Sequence, residues 1–286
     1  MASYVVELLR ENGFPDADDI GKLSSGDINA AYRFKSDGRD YFVKINTLHP
    51  HPALFEKEAN GLQELKKYSD FHIPDVKGTG SDGVNQFLVL EFLPPGKASQ
   101  KSWEQFAQRL ATMHRQTREN FGFFEDNYLG TQPQDNRFKN SWPAFYAENR
   151  LLPSIRQMFD KNIGSRTAVK QTENLCKKLP EIYPEEPAAL IHGDLWSGNY
   201  LIMQTGEMTL IDPAVYYGHR EMDIGMAQLF GGFSEVFYKV YQQFYPLEKG
   251  ITERLEISQL YPLIFHAIRF KGSYIPAVER ILSKFG

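Results

Sequence analysis

The stretch Ile191-His192-Gly193-Asp194-Leu195-Trp196-Ser197-Gly198-Asn199, followed by Leu210-Ile211-Asp212-Pro213, carries three oxygen-bearing side chains at spacings that suit phosphoryl transfer. Asp194 lies in a loop, Asn199 follows it by five positions, and Asp212 ends the next-but-one short apolar run. A carboxylate is needed to orient and deprotonate an attacking hydroxyl, which makes Asp194 the expected catalytic base. An amide and a second carboxylate can hold Mg²⁺ against phosphates, because hard cations take oxygen ligands, so Asn199 and Asp212 are the expected metal ligands. An Asp and an Asn five apart also occur in plain turns. Here His192-Gly193 precede them and an aspartate follows at a strand end, which makes coincidence the poorer reading. The segment reads as the chemical centre of an ATP-dependent kinase. Trp196, two residues from Asp194, is placed to pack on a substrate, and His192 is a second candidate substrate contact.

A phosphate-binding cation is the next requirement. Lys44 lies within the apolar run Tyr41-Phe42-Val43-Lys44-Ile45, where by itself it reads as a lysine protecting a sheet edge. The segment that follows changes the balance. At 100° per residue, Glu58 falls inside the apolar stripe of Leu54, Phe55, Leu62 and Leu65, whereas Glu56 falls opposite. A carboxylate on an apolar face needs a cation within reach, and Lys44 is the evident partner. A strand lysine paired with a helix glutamate is a device for gripping nucleotide phosphates. Upstream, Leu23-Ser24-Ser25-Gly26-Asp27-Ile28-Asn29-Ala30 stands where a phosphate-covering turn is expected. Taken alone it is an ordinary turn, but its position before Lys44 makes Ser25 and Gly26 candidate phosphate donors.

These residues need elements to hold them. Residues 4–12 have helical apolar spacing that stops at Gly13, and two extended stretches over about 28–47 are separated by Ser36-Asp37-Gly38. Residues 53–67 are helical in spacing, and Gln86 to Leu93 form a compact apolar strand that Pro94-Pro95-Gly96 ends. Beyond it the periodicity turns helical over 103–116, 143–159 and 165–179, becomes extended over 188–212, and is mostly helical from 222 to 284. The turn Thr205-Gly206-Glu207 joins the two short strands between Asn199 and Asp212. The pattern predicts an α+β protein of two lobes, with residues 1–94 forming a small sheet-bearing lobe and 95–286 a larger, mainly helical one.

Composition narrows the field. With 24% charged and 42% hydrophobic residues, the 286-residue chain has ordinary globular proportions. A net charge of −4 offers no basic footprint for nucleic acid. A single cysteine, Cys176, excludes an intrachain disulfide and a cysteine-based metal site. The first ten residues lack the basic start and unbroken apolar run of a signal peptide, and no stretch of about 18 apolar residues appears, so a cytoplasmic location is the expectation. His114, at the end of a periodic helix, reads as a buried structural histidine.

Compared with protein kinases the chain departs at three places. Gly193 stands where an arginine usually reads a phosphorylated activation loop, Asp212 is followed by Pro213-Ala214 rather than Phe-Gly, and only ten residues separate Pro213 from Asp223. That span is too short for a long activation segment, which favours a small-molecule substrate. The sequence resembles the fructosamine-3-kinase (ketosamine-3-kinase) family, within the aminoglycoside-phosphotransferase and choline-kinase-like group, over nearly its whole length. The resemblance rests on His192 to Asn199, Ile211 to Ala214, Tyr216 to Asp223, Leu229 to Phe233, and Phe121-Gly122-Phe123 with Asn127 to Gln134. Ser197 stands where glycine is frequent in the family, and Asp27 where many relatives carry a cysteine. The resemblance implies a protein-kinase-like fold with ATP and Mg²⁺ in the cleft between lobes, and Glu91, Phe92 and Leu93 as the hinge that meets adenine. It further implies phosphorylation of the C3 hydroxyl of a ketosamine, a small glycated amine or a glycated protein lysine, whose 3-phosphate then falls apart to free the amine. Asp223 and Arg220 are expected to brace the catalytic loop. Another small-molecule kinase, for an aminoglycoside, choline or a sugar, and a non-catalytic nucleotide-binding module are the alternative readings.

Overall fold

Aromatic and β-branched residues alternate with polar ones through 30–47, and the two-residue turn Asp37-Gly38, with both residues at positive φ, folds that run into a hairpin. The computed structural model of the chain describes residues 2–23 and 29–286. Strands β1 (Asp18–Lys22), β2 (Ala30–Ser36), β3 (Arg39–Thr47), β4 (Val76–Ser81) and β5 (Asn85–Glu91) form one antiparallel sheet in the order β1-β2-β3-β5-β4. Helix α1 (Ala2–Glu11) packs on one face of this sheet and α2 (Leu54–Tyr68) on the other. Lys44 sits in the central strand, opposite Leu88, so it protects no sheet edge.

The pleat divides the sheet between two cores. Tyr32, Phe34, Val43, Ile45, Phe87 and Val89 face α1 and close a small core with Val5, Leu8 and Leu9. Leu88 and Leu90 face the other way, against Leu54, Phe55, Leu62 and Leu65 of α2, and belong to the large core that runs through the rest of the molecule. Helix α2 is thus sequence-adjacent to the sheet yet buried with the second lobe.

That second lobe begins with α3 (Gln100–Met113), started by a Ser99–Ser102 capping box. It continues through β6 (Thr117–Arg118), the hairpin β7 (Asn127–Leu129) and β8 (Gln132–Gln134), and α4 (Trp142–Phe145). Helix α4 leads through a π-helical turn (Tyr146–Leu151) into α5 (Leu152–Asp160), and α6 (Arg166–Ile182) follows. Strands β9 (Ala188–Ile191), β10 (Tyr200–Ile202), β11 (Met208–Leu210) and β12 (Tyr216–Gly218) frame the loops that carry Asp194 and Asp212. Helices α7 (Glu221–Phe230), α8 (Glu235–Phe244), α9 (Ile251–Ser258), α10 (Leu260–Phe270) and α11 (Tyr274–Phe285) complete the lobe. This is the expected α+β arrangement, a sheet-rich first lobe and a helical second one. Among the described residues no helix is long and apolar enough to cross a membrane.

Candidate active site

The lysine of β3 and the glutamate of α2 meet as their spacing required. Lys44 Nζ donates to Glu58 Oε1 at 2.7 Å and also to Asp212 Oδ1, and the lysine is only 4% exposed. Burial alone would lower the Lys44 ammonium, but the carboxylates of Asp212 and Glu58 more than offset it and hold the group protonated. Burial raises Glu58, with Lys44 opposing and the Asp212 charge adding to the rise.

The loops after β9 and β11 each carry one left-handed residue. Gly193 stands at φ 81°, and a Cβ there would lie 2.1 Å from the carbonyl oxygen of Ala214, so glycine is required for reasons of backbone shape and space. Asp212 stands at φ 55°, a conformation that favours glycine and that aspartate adopts more readily than most other residues. Asn199 donates its Nδ2 to the Asp194 backbone oxygen at 2.8 Å and to Asp194 Oδ2 at 2.9 Å. That orientation turns the Asn199 Oδ1 away from Asp194 and leaves it to accept or to coordinate. The Asp194 carboxyl is pushed up to about 7, chiefly by burial; Asn199 opposes the rise, while the charges of Asp212 and Asp223 add to it.

Asp223, at the start of α7 and fully buried, accepts from His192 N at 2.8 Å and Gly193 N at 2.9 Å, so it braces the loop as expected. Arg220 does not. Its guanidinium grips Glu186 at 2.8 Å and donates to the carbonyls of Tyr245 and Pro246, which ties α7 to the end of α8 instead. His114 is buried, with Nδ1 2.7 Å from the Tyr241 hydroxyl and Nε2 3.2 Å from Asp223 Oδ2; a structural histidine, it steadies the residue that steadies the loop.

His192 is a correction. It is fully buried, its Nε2 donates to the Ile211 carbonyl at 2.9 Å, and its Nδ1 accepts from Asp194 N at 3.2 Å. Both ring nitrogens are therefore engaged in joining the Asp194 and Asp212 loops, and none is left for substrate. Trp196 is 38% exposed beside Asp194, its ring 6.0 Å from that of Phe230 in an edge-on contact.

Glu91 ends β5 and ties to Asp75, donating its N–H to the Asp75 carbonyl and accepting from Asp75 N on Oε2. Phe92 and Leu93 follow, half-buried, with the Arg33 guanidinium over the Phe92 ring at 5.2 Å. Ser25 and Gly26, together with Ser24 and Asp27, lie outside the described residues.

Comparison with known proteins gives the family. The family model for fructosamine kinase matches residues 3–285. This chain belongs to the fructosamine kinase family. A probable ketoamine kinase from Enterococcus faecium is 40% identical over 267 residues, covering 91% of this chain and 92% of that protein. A crystal structure of a candidate fructosamine-3-kinase from Haemophilus somnus superposes with a TM-score of 0.87 at 30% identity, covering 98% of this chain and 96% of that one. An aminoglycoside phosphotransferase crystallised in a ternary complex with AMP-PNP and hygromycin B shares the fold alone, with a TM-score of 0.67 at 14% identity over 98% of each chain. As a fructosamine kinase family member, the chain is a phosphotransferase that acts on a hydroxyl group.

Among the described residues no group of three or more His, Cys, Asp or Glu gathers into a self-sufficient metal cage. Mg²⁺ commonly takes one or two protein oxygens and completes its shell with phosphates and water. The free Oδ1 of Asn199 and the carboxylate of Asp212 fit such a donor set.

Proposed function

We propose that the chain transfers the γ-phosphoryl group of ATP to the C3 hydroxyl of a ketosamine, and that the product then decays to release the amine. The observation that carries the phosphoryl-transfer reading is the bonded set at the junction of the lobes: Glu58 to Lys44 to Asp212, whose carbonyl lies 3.5 Å from the Asn199 amide, and Asn199 to Asp194. Family membership and the ketoamine kinase relatives supply the ketosamine.

In this reading residues 1–94 form the nucleotide lobe and 95–286 the catalytic and substrate lobe. Adenine rests against the backbone of Glu91, Phe92 and Leu93; among the described residues no turn or loop bond uses the N–H of Phe92 or Leu93. Lys44, held at the right height by Glu58, binds phosphate oxygens once nucleotide displaces its contact with Asp212. Asn199 and Asp212 would hold Mg²⁺, which when bound would neutralise developing charge on the phosphates. Asp194 accepts the proton of the attacking hydroxyl. A carboxyl raised to about 7 is better matched to that task than a surface aspartate near 4. Because the transferring group passes through a loose transition state, positioning and charge neutralisation contribute most of the rate. Trp196 offers an aromatic face beside the reacting hydroxyl. The test is ATP consumption with Mg²⁺ against fructose-lysine, ribulose-lysine, erythrulose-lysine, an aminoglycoside, choline and free sugars, each product checked by mass. Phosphorylation of a ketosamine in preference to the rest is expected; transfer only to another acceptor would overturn the substrate, and no transfer would overturn the reaction.

A further inference from the structure

The ion pair between Lys44 and Glu58 is useful only if α2 is held at one rotation. In regulated kinases that task falls to an activation segment. Here ten residues separate Pro213 from Asp223, and something else must fix the helix.

One stripe of α2 answers this. Lys57, Asn60, Gly61, Glu64 and Tyr68 are spaced three, four, seven and eleven positions apart, so they share a face turned about 100° from Glu58. Every one of them meets the second lobe. Glu125 accepts from Lys57 Nζ at 3.2 Å and from Asn60 Nδ2 at 2.8 Å, in a pair whose side chains are about four-fifths buried. Gly61 lets the helix backbone settle on Pro213 and Val215, 3.4 Å from where a Cβ would stand. Tyr217 donates its hydroxyl to Glu64 at 2.9 Å, and Arg118 lies 3.7 Å from Glu64 and donates to the Tyr68 hydroxyl. Just before the helix, the Tyr128 hydroxyl donates to the Pro52 carbonyl at 3.0 Å.

The segment that supplies Glu125 and Tyr128 opens the β7–β8 hairpin and is itself locked to the strand after Asp212. Asn127 Nδ2 donates to the Val215 carbonyl at 2.8 Å, and Gln134 and Asn136 both donate to Asn127 Oδ1. Glu125 therefore stands between the helix that carries Glu58 and the chain that carries Asp212, the two carboxylates that Lys44 joins. Apolar burial of Leu54, Phe55 and Leu62 favours the docked helix, but it is non-directional. The Glu125 contacts are directional and fix the rotation.

We propose that Glu125 is a positioning residue for phosphoryl transfer: it clamps α2 to the second lobe so that Glu58 meets Lys44, in place of an activation segment. The inference rests on the phosphoryl-transfer reading of Lys44 and Glu58. The test is a double-mutant cycle read by calorimetric Mg·ATP binding and steady-state kinetics with fructose-lysine. Glu125→Ala is expected to weaken Mg·ATP binding about fivefold, the size of coupling seen between groups that share a partner, while KM for the ketosamine stays within about twofold. In a Glu58→Gln background the same change should cost less than about twofold, because there is no longer an ion pair to position. Should Glu125→Ala fail to fold, Glu125→Gln keeps the shape and the Asn60 bond, loses the Lys57 charge, and is expected to show part of the effect. Equal losses in both backgrounds, or wild-type nucleotide binding by the Glu125 variants, would overturn the inference alone. A wild-type chain that bound no Mg·ATP would overturn the phosphoryl-transfer reading along with it.

Discussion

The left-handed backbone at Asp212 costs roughly 1 to 3 kcal/mol in a non-glycine residue, and it puts the carboxylate on Lys44 and the backbone carbonyl 3.5 Å from the Asn199 amide. The bond to Lys44 and the place beside Asn199 give this carboxylate its task. Asp212→Ala is therefore expected to abolish Mg²⁺-dependent nucleotide binding, measured by titration with and without chelator; unchanged Mg·ATP affinity would remove the assigned role. Gly193 is constrained in the opposite sense, since any side chain there meets the Ala214 carbonyl. Gly193→Ala should destabilise the protein by at least about 2 kcal/mol in a urea titration and depress kcat, because the loop it distorts carries Asp194. At this scale the sequence was informative where chemistry dictates residue type. Asp194, Asn199, Asp212, Lys44 and Glu58 could all be picked from spacing alone, and the structure gathers them at one junction. His192 was misread because proximity to a reactive residue does not say which way a ring turns. Its two backbone partners, Ile211 and Asp194, meet only when two separate loops are folded together.

At the scale of elements, the long amphipathic helices were legible because one face is strongly buried, and the apolar strands β3 and β5 because they run between two cores. Strands β1 and β4 were not. Asp18–Lys22 is short, polar and exposed, and Val76–Ser81 carries two glycines and alternates without large apolar residues, so neither bears a periodic signal. The π-helical turn was equally hidden, since the 143–159 periodicity passes through it. It brings neighbouring Asn149 and Arg150 onto the segment after β8. Asn149 Nδ2 reaches the carbonyls of Asp135 and Arg137, while Arg150 donates to the Asp135 carbonyl and to Asn136 Oδ1, each at 2.6 Å. The Arg150 guanidinium is fully buried, lies over the rings of Phe145 and Tyr216, and among the described residues has only neutral acceptors. Arg150→Met should cost roughly 3 kcal/mol of stability, because three oxygens lose a charged donor, and Arg150→Lys should recover only part of it, lacking the planar fork. Thermal or urea unfolding checks the order; a lysine variant as stable as wild type would contradict it.

Across the whole molecule, the two cores explain why the lobes read so differently and why the clamp on α2 escaped notice. Its partners lie 65 to 153 positions apart and belong to stretches whose residues carry no periodic mark. The same long-range burial sets how the fold responds to acid. His219 is fully buried, and its imidazole is pushed down to about 3 by burial, with Arg220 and Arg254 adding to the fall and Glu186 opposing it. The folded chain keeps this ring neutral while the unfolded chain protonates it below about 6.5, so stability is present above that pH and is lost as pH falls toward 3. From pH 7 to 5 the loss from this one group is about 2 kcal/mol, and urea unfolding should show the gap between wild type and His219→Gln narrowing by that amount. A gap independent of pH would contradict it. The most direct test of the central claim is a single-turnover reaction of Mg·ATP with fructose-lysine, quenched at intervals and followed by mass, in the wild type and in Asp194→Asn. The wild type should form a phosphorylated ketosamine that decays to free lysine, while the variant binds Mg·ATP with near-normal affinity yet forms product about 10²–10⁴-fold more slowly. A variant that retained most of the rate, or a wild type that transferred phosphate to no ketosamine, would contradict the account.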